Sequence, residues 1–135
     1  MNDCFSYLMS DIILELTDDD NDKNIFKWKK PAEKIKTINC FCTEKYYYKE
    51  INENELSKII YEKNSITLYF SITSKSKKYT TTNELGFTLK EMINIILDFM
   101  NLSQNKQAMN NLKFYYFEGL MKFPTKDQWD ICWGI

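Results

Sequence analysis

The chain has 135 residues, which suits one domain, and its apolar fraction of 44% is enough for a buried core. Its formal net charge of −1 creates no overall field that would attract nucleic acid or an anionic membrane. The sequence contains no His and no Arg, so it lacks the usual proton-transfer group and the bidentate donor for phosphate or guanine.

The sequence favours a cytoplasmic protein without a membrane partner. The opening "MNDCFSYLMSD" contains Asp3 and Asp11, which do not fit the apolar region of a signal peptide. No uninterrupted apolar run reaches the roughly 18 residues that indicate a transmembrane helix. We therefore expect the four cysteines to be free thiols in a reducing compartment.

The first third of the chain gives mixed signals. Residues 4–16 have apolar side chains near helical spacing, but "DIILEL" at their end could equally form a strand. Residues 17–24 are acidic and predict a loop. Pro31 argues against a central strand in the segment that follows, and residues 35–42 alternate weakly, which predicts a strand.

The middle of the chain predicts a short helix and a hairpin. Leu56, Ile59 and Ile60 have helical spacing. Residues 65–73, "SITLYFSIT", alternate cleanly and predict a strand with Ile66, Leu68, Phe70 and Ile72 on one face. The lysine-rich "SKSKK" predicts a loop, and residues 79–85 predict the returning strand.

Residues 88–102 predict the main helix, because "TLKE" is a capping box that precedes a regular apolar stripe. The polar residues 103–111 predict either a fraying helix end or a loop. Two strands, 112–118 and 128–135, are expected to close the chain, with a loop between them. The pattern predicts a single α+β domain over residues 1–135, a mostly antiparallel sheet packed by this helix and one or two shorter helices.

Residues 114–117, "FYYF", place aromatic side chains on both faces of a predicted strand. The helix can cover one face, so the other face requires another element of the chain, a second copy or a partner. Both a doubly buried strand and an exposed interface are consistent with the pattern. Phe114 and Tyr116 share one of these faces. The candidates for binding a protein partner or a second copy are Tyr115, Phe117, Trp129 and Trp133.

A nucleic-acid surface is the alternative, because lysines interleaved with aromatic residues are typical of single-strand binders. The residues that carry this alternative are Trp28, Lys27, Lys29, Lys30, Lys77, Lys78 and Tyr79. Both clusters are short, and solvated loops would have the same composition. We expect a protein partner or a homo-oligomer before nucleic acid.

Enzymatic chemistry has weaker support. An EF-hand loop starting at Asp18 would need Gly and Glu where the chain has Lys23 and Lys29. The cysteines do not have zinc-site spacing, and no His could activate a nucleophilic thiol. Glu118, beside the aromatic run, is the best candidate for a carboxylate with a raised pKa. We therefore expect no metal, no cofactor and no catalytic residue, with a carboxylate or cysteine enzyme as the remaining alternative.

The order of "GFTLKEMINIILDF", "FYYFEGL" and a terminal "WGI" resembles a group of small uncharacterised proteins of giant DNA viruses that infect amoebae. The resemblance covers residues 86–134, and it departs at "WGI", where a small polar residue is more usual. It implies a viral protein in the host cytoplasm but no reaction. Our hypothesis is a non-catalytic interaction or accessory module that presents an aromatic strand face.

Overall fold

The computed structural model describes the backbone of residues 5–10, 13–16, 26–31, 48–50, 53–112 and 116–134, and the side chains of 5–10, 53–109, 111 and 117–133. Its strands are β1 Ser6–Leu8, β2 Ile13–Leu16, β3 Phe26–Pro31, β4 Tyr48–Glu50, β5 Ile59–Tyr61, β6 Ser65–Phe70, β7 Lys75–Thr80, β8 Phe87–Thr88, β9 Tyr116–Lys122 and β10 Trp129–Gly134. Its helices are α1 Glu53–Leu56, α2 Leu89–Met100 and α3 Ser103–Leu112. The predicted α+β class is confirmed.

Eight of these strands form the main sheet, in the order β4-β3-β2-β9-β10-β6-β7, and β1 also pairs with β9. Every pairing in it is antiparallel except that of β10 with β6. A second, two-stranded sheet joins β5 to β8. Strands from both ends of the chain thus meet at β9.

Strands β1 and β2 follow the same edge of β9 as two parts of an interrupted strand. Leu8 lies opposite Leu120 and Glu15 lies opposite Tyr116, so the N-terminal segment advances seven residues where β9 advances four. Gly119 lies at this interruption with a φ of 106°. A Cβ at Gly119 would lie 3.1 Å from the Leu8 carbonyl oxygen, so the position requires glycine both for its φ and for the close approach.

Helix α2 has the capping box that its sequence predicts. The Glu91 amide donates to the Thr88 hydroxyl at 3.1 Å, and the Thr88 amide donates to the Glu91 carboxylate at 3.1 Å. The apolar stripe of α2 is buried against one face of the sheet. Its members are Leu89, Met92, Ile93, Ile96, Phe99 and Met100.

The core lies between α2, α3 and what we call the helix-side face of the main sheet. The buried sheet residues on this face are Ile66, Leu68, Phe70, Phe117, Leu120, Trp129 and Ile131. Helix α3 adds Met109 and the buried Asn105, whose side-chain amide donates to the Phe99 carbonyl at 2.8 Å. The Thr73 hydroxyl donates to Asn105, which ties α3 to the β6–β7 turn.

Several expectations for the first half of the chain need correction. Residues 4–16, for which the sequence allows a helix or a strand, include two short strands that pair with β9, so the strand alternative for "DIILEL" is confirmed over Ile13–Leu16. Strand β3 lies between β2 and β4 despite Pro31. Pro31 is its last residue, where only one ladder donor is lost. Residues 17–25 and 32–47, with the predicted acidic loop and a predicted strand, lie outside the described residues.

In the middle of the chain, the helices and strands begin and end at different residues from those predicted. Helix α1 is a single turn, and Ile59 and Ile60 belong to β5, because this segment pairs with β8. Strand β6 has the predicted alternation up to Phe70, but Ile72 lies in the turn and is exposed. The returning strand begins at Lys75 rather than residue 79, so the predicted lysine loop is mostly β7.

The end of the chain agrees better. Residues 103–111, which could have been a loop, belong to α3. The two closing strands are present, but β9 continues through Gly119 to Lys122, so the loop between them is shorter than predicted. Pairing with β1 on one side and β10 on the other extends the strand past the glycine.

Candidate interaction surface

The aromatic interface candidates from the sequence lie mostly in the core. Phe117 is 1% exposed and Trp129 is 6% exposed, so neither side chain is available to a partner in this fold. Trp133 is half-buried and packs edge-on against Phe117, with ring centroids 5.7 Å apart. Tyr115 lies outside the described residues. The sequence is consistent with either a core or an interface position for Phe117, and the structure places its side chain in the core.

The pairing of β9 with β10 explains this burial. Ile131 lies opposite Leu120, and Trp133 lies opposite Phe117 after a register shift beyond Cys132. Directly opposed residues share a face of a sheet. The shift places Phe117 on the helix-side face together with Trp133 and Ile131. The N-terminal segment, which could have covered the second face of this strand, pairs with its edge instead.

The other face of the sheet, which we call the open face, carries a different aromatic group. Tyr7 lies opposite Met121, and Phe5 and Phe123 continue the same alternation, with ring centroids 5.0 Å apart in an edge-to-face contact. Phe5 is 44% exposed and Tyr7 is 61% exposed. We call Phe5, Tyr7, Met121 and Phe123 the open-face patch. None of its members belongs to the core cluster.

A row of side chains continues from the patch across the open face. Met121 lies opposite Asp130, and Asp130 lies beside Tyr69. Burial raises the pKa of Asp130, while the charge of Lys126 acts in the opposite direction. Its Oδ1 atom is buried without a hydrogen-bond partner. This part of the open face is therefore a poorly solvated place for a carboxylate.

The second lysine–aromatic cluster does not form one surface. Lys77 and Tyr79 lie on the helix-side face, where Lys77 Nζ is 3.1 Å from Asp98 Oδ2 and the Tyr79 hydroxyl donates to the same oxygen at 2.6 Å. Lys78 lies opposite Thr67 on the open face. Burial and the bond to Asp98 both raise the pKa of Tyr79. The hydroxyl of Tyr79, whose ring the nucleic-acid alternative would use to stack on bases, is thus bonded within the chain.

The first lysine–aromatic cluster can be placed only by its backbone. Lys27, Trp28, Lys29 and Lys30 all belong to β3, where Trp28 lies opposite Leu14 and Lys29 lies opposite both Ile13 and Glu50. The structure describes only the backbone of these four residues, so the nucleic-acid alternative is untested at this cluster.

The candidate catalytic groups do not converge. Glu118 is exposed, so aromatic surroundings do not enclose it. Burial raises the pKa of the Cys132 thiol, and the charges of Asp130 and Glu118 raise it further, which is unfavourable for a nucleophilic thiolate. Cys4, Cys40 and Cys42 lie outside the described residues. Among the described residues, no three His, Cys, Asp or Glu side chains form a group that could hold a metal ion.

The described helices include none with the length and apolar character of a membrane span. Comparison with models of known protein families gives no match. Comparisons with curated proteins and with solved structures also give no match.

Sequence reasoning missed the open-face patch. The signal was the alternation of Phe5 and Tyr7 with Ser6, which fits a strand with one aromatic face. Leu8, Met9 and the apolar residues that follow suggested helical spacing and obscured it. Met9 has a φ of 58° and is buried, so the alternation ends there for a backbone reason that spacing does not show.

Proposed function

We propose that this protein is a non-catalytic interaction module that self-associates through the open-face patch. The observation that carries the proposal is the exposure of Phe5 and Tyr7 beside Phe123 and Met121 on a sheet face opposite the helices. Contiguous apolar patches of this kind mark protein contact sites more often than isolated exposed residues do. Aromatic residues and methionine are also enriched in the cores of protein interfaces.

The charges around the patch favour a second copy as the partner. Lys126 lies over the Phe123 ring with its Nζ 5.8 Å from the ring centroid, and it precedes Asp127 in the same loop. Asp130 lies in the next row of the open face. A patch with both positive and negative side chains around it can be complementary to a second copy of itself across a twofold axis, where each contact occurs twice. The small net charge also limits repulsion between copies.

Two other functions find less support in the geometry. A single-strand binder would use rings and cations on one surface. Because side chains alternate along β7, Lys78 lies on the opposite face from Lys77 and Tyr79. Asp98 binds both Lys77 and Tyr79. A carboxylate or cysteine enzyme would need converging groups, whereas Glu118 is exposed and the Cys132 pKa is raised.

Light scattering over a range of protein concentrations tests the proposal. We expect the wild-type chain to form a dimer and Tyr7→Ser to shift it toward the monomer, because the substitution removes a ring from the contact. Leu85→Ser is the matched control, since Leu85 is 70% exposed but lies outside the patch. A wild-type chain that stays monomeric at high concentration, or equal dissociation of both variants, contradicts the proposal.

The resemblance to proteins of giant viruses is compatible with this function. It implies that the module works in the cytoplasm of an infected host cell. It does not identify a further partner, and the self-association test does not depend on it.

A further inference from the structure

Strand β7 is the last strand at one end of the main sheet. It pairs with β6, and among the described strands no second neighbour pairs with its outer edge. All of its residues except Tyr79 are exposed. An unpaired edge of this kind offers backbone donors and acceptors to an added strand.

The register of the hairpin identifies which backbone groups face outward. The Thr81 amide donates to the Asn64 carbonyl at 2.9 Å, and this pair continues the register of β6 with β7. In an antiparallel ladder, residues that exchange hydrogen bonds alternate with residues that do not. Ser76, Lys78 and Thr80 are therefore the residues of β7 whose amide and carbonyl groups point away from β6.

The charge of this edge restricts what can pair with it. Lys75 and Lys78 are exposed, and no ion pair joins either of them to another described residue. Lys77 is partly neutralised by Asp98. Two copies of β7 placed edge to edge would bring lysines against lysines, which is unfavourable for cross-strand pairs. A strand with acidic side chains would be attracted instead.

We propose that β7 is a docking edge for an extended acidic segment of another protein, which adds to the main sheet as a further strand. Backbone bonds to Ser76, Lys78 and Thr80 would hold the segment, and Lys75 and Lys78 would select acidic side chains. This site is separate from the open-face patch, because β7 and β1 lie on opposite sides of β9 and β10 in the strand order. The alternative role for lysines on a sheet edge is to prevent aggregation. If that were their role here, no added strand of any sequence would bind to β7.

Fluorescence anisotropy tests the proposal with a labelled peptide of Glu and Val, about as long as β7, that carries Glu on both faces of an extended strand, because Lys75 and Lys78 lie on opposite faces of β7. We expect the wild-type chain to bind it and the double variant Lys75→Glu/Lys78→Glu to bind about tenfold more weakly or worse. The double variant Lys58→Glu/Lys90→Glu is the control, because both lysines are exposed outside β7 and the two substitutions make the same change of charge elsewhere.

Ser76→Pro separates strand addition from simple charge attraction. The Ser76 amide faces outward, so proline removes no internal hydrogen bond, and its ring blocks an added strand. We expect this variant to keep the melting temperature of the wild type and to lose binding. Absence of binding to the wild type overturns the proposal, as does unchanged binding to Ser76→Pro. Equal binding of a single-stranded oligonucleotide or of the matching Lys–Val peptide also overturns it.

Discussion

The two faces of the main sheet use the same strands but place their aromatic side chains in opposite surroundings. On the helix-side face, Phe117 and Trp129 are buried by α2 and its neighbours. On the open face, Phe5 and Tyr7 are exposed, although β1 pairs with the same β9 that carries Phe117. An aromatic residue in a strand thus acquires its role from its cross-strand neighbours and not from its own strand alone.

The comparison leads to the largest expected effect on stability. Phe117→Ala should lower the free energy of unfolding by about 3–5 kcal/mol, because it empties a buried site and removes the ring contact with Trp133. Tyr7→Ala on the open face should change it by about 0.5 kcal/mol or less. Urea denaturation of both variants measures the difference.

Light scattering of the same two variants sharpens the comparison further. Tyr7→Ala should weaken self-association while it keeps the stability of the wild type. A large loss of stability in Tyr7→Ala would show that the open face is covered within one chain, and the distinction between the faces would then fail.

The interruption between β1 and β2 is the next test, because it sets which residues of the N-terminal segment reach each face. Gly119→Ala should destabilise the chain by about 1–3 kcal/mol, since alanine rarely adopts a φ of 106° and its Cβ would press on the Leu8 carbonyl. Thr125→Ala in the exposed loop provides the control. Thermal or urea unfolding measures the change, and equal stability of the two variants would mean that the bend at Gly119 relaxes without cost.

Sequence alone could predict the elements whose causes are local. Helix α2 is such an element, because its capping box and apolar stripe lie within a few turns. The alternation of Ile66, Leu68 and Phe70 likewise identified β6. The pairing of β1 with β9 joins residues more than a hundred positions apart, and no local pattern encodes it.

The same limit explains why the sequence does not show which aromatic side chains are buried and which are exposed. The face of Phe117 depends on the register shift beyond Cys132, and the exposure of Tyr7 depends on its place opposite Met121. The predicted loop at "SKSKK" is wrong for a related reason. Its composition is typical of a loop, but most of these residues form β7, in which Lys77 and Lys78 lie on opposite faces.

A smaller effect should follow from loss of the α2 cap, which belongs to the helix that covers only the helix-side face. Thr88→Ala removes the hydroxyl that accepts from the Glu91 amide, so we expect a loss of about 1 kcal/mol in the free energy of unfolding. Thr82→Ala, at an exposed position before the helix, is the control. Self-association should be unchanged in the folded variant, and a parallel loss of association would link the cap to the open face and contradict the separation.

The smallest expected change in the free energy of unfolding concerns two aspartates, Asp98 beside the helix-side face and Asp130 on the open face. The bond from the Tyr79 hydroxyl lowers the pKa of Asp98, burial opposes this, and Lys77 lowers the pKa further. Burial raises the pKa of Asp130 on the open face. The stability that Asp98 contributes is therefore present at neutral pH and lost as the pH falls through its folded pKa. Asp130 has the opposite effect on stability: its cost appears as the pH rises above the ordinary aspartate pKa and is complete above its raised folded pKa.

Asp98→Asn should accordingly lower the free energy of unfolding at pH 7, and Asp130→Asn should raise it, each by less than about 1 kcal/mol because both groups are partly exposed. Both differences should shrink below the ordinary carboxyl range near pH 4, where the wild-type aspartates are protonated in the unfolded chain. Urea denaturation at neutral and acidic pH measures them. Tyr79→Phe should reproduce part of the Asp98→Asn effect, since it removes the same bond. A loss of stability in Asp130→Asn at pH 7 would mean that its carboxylate has a favourable partner, and the open face would then resemble the helix-side face in its polar contacts.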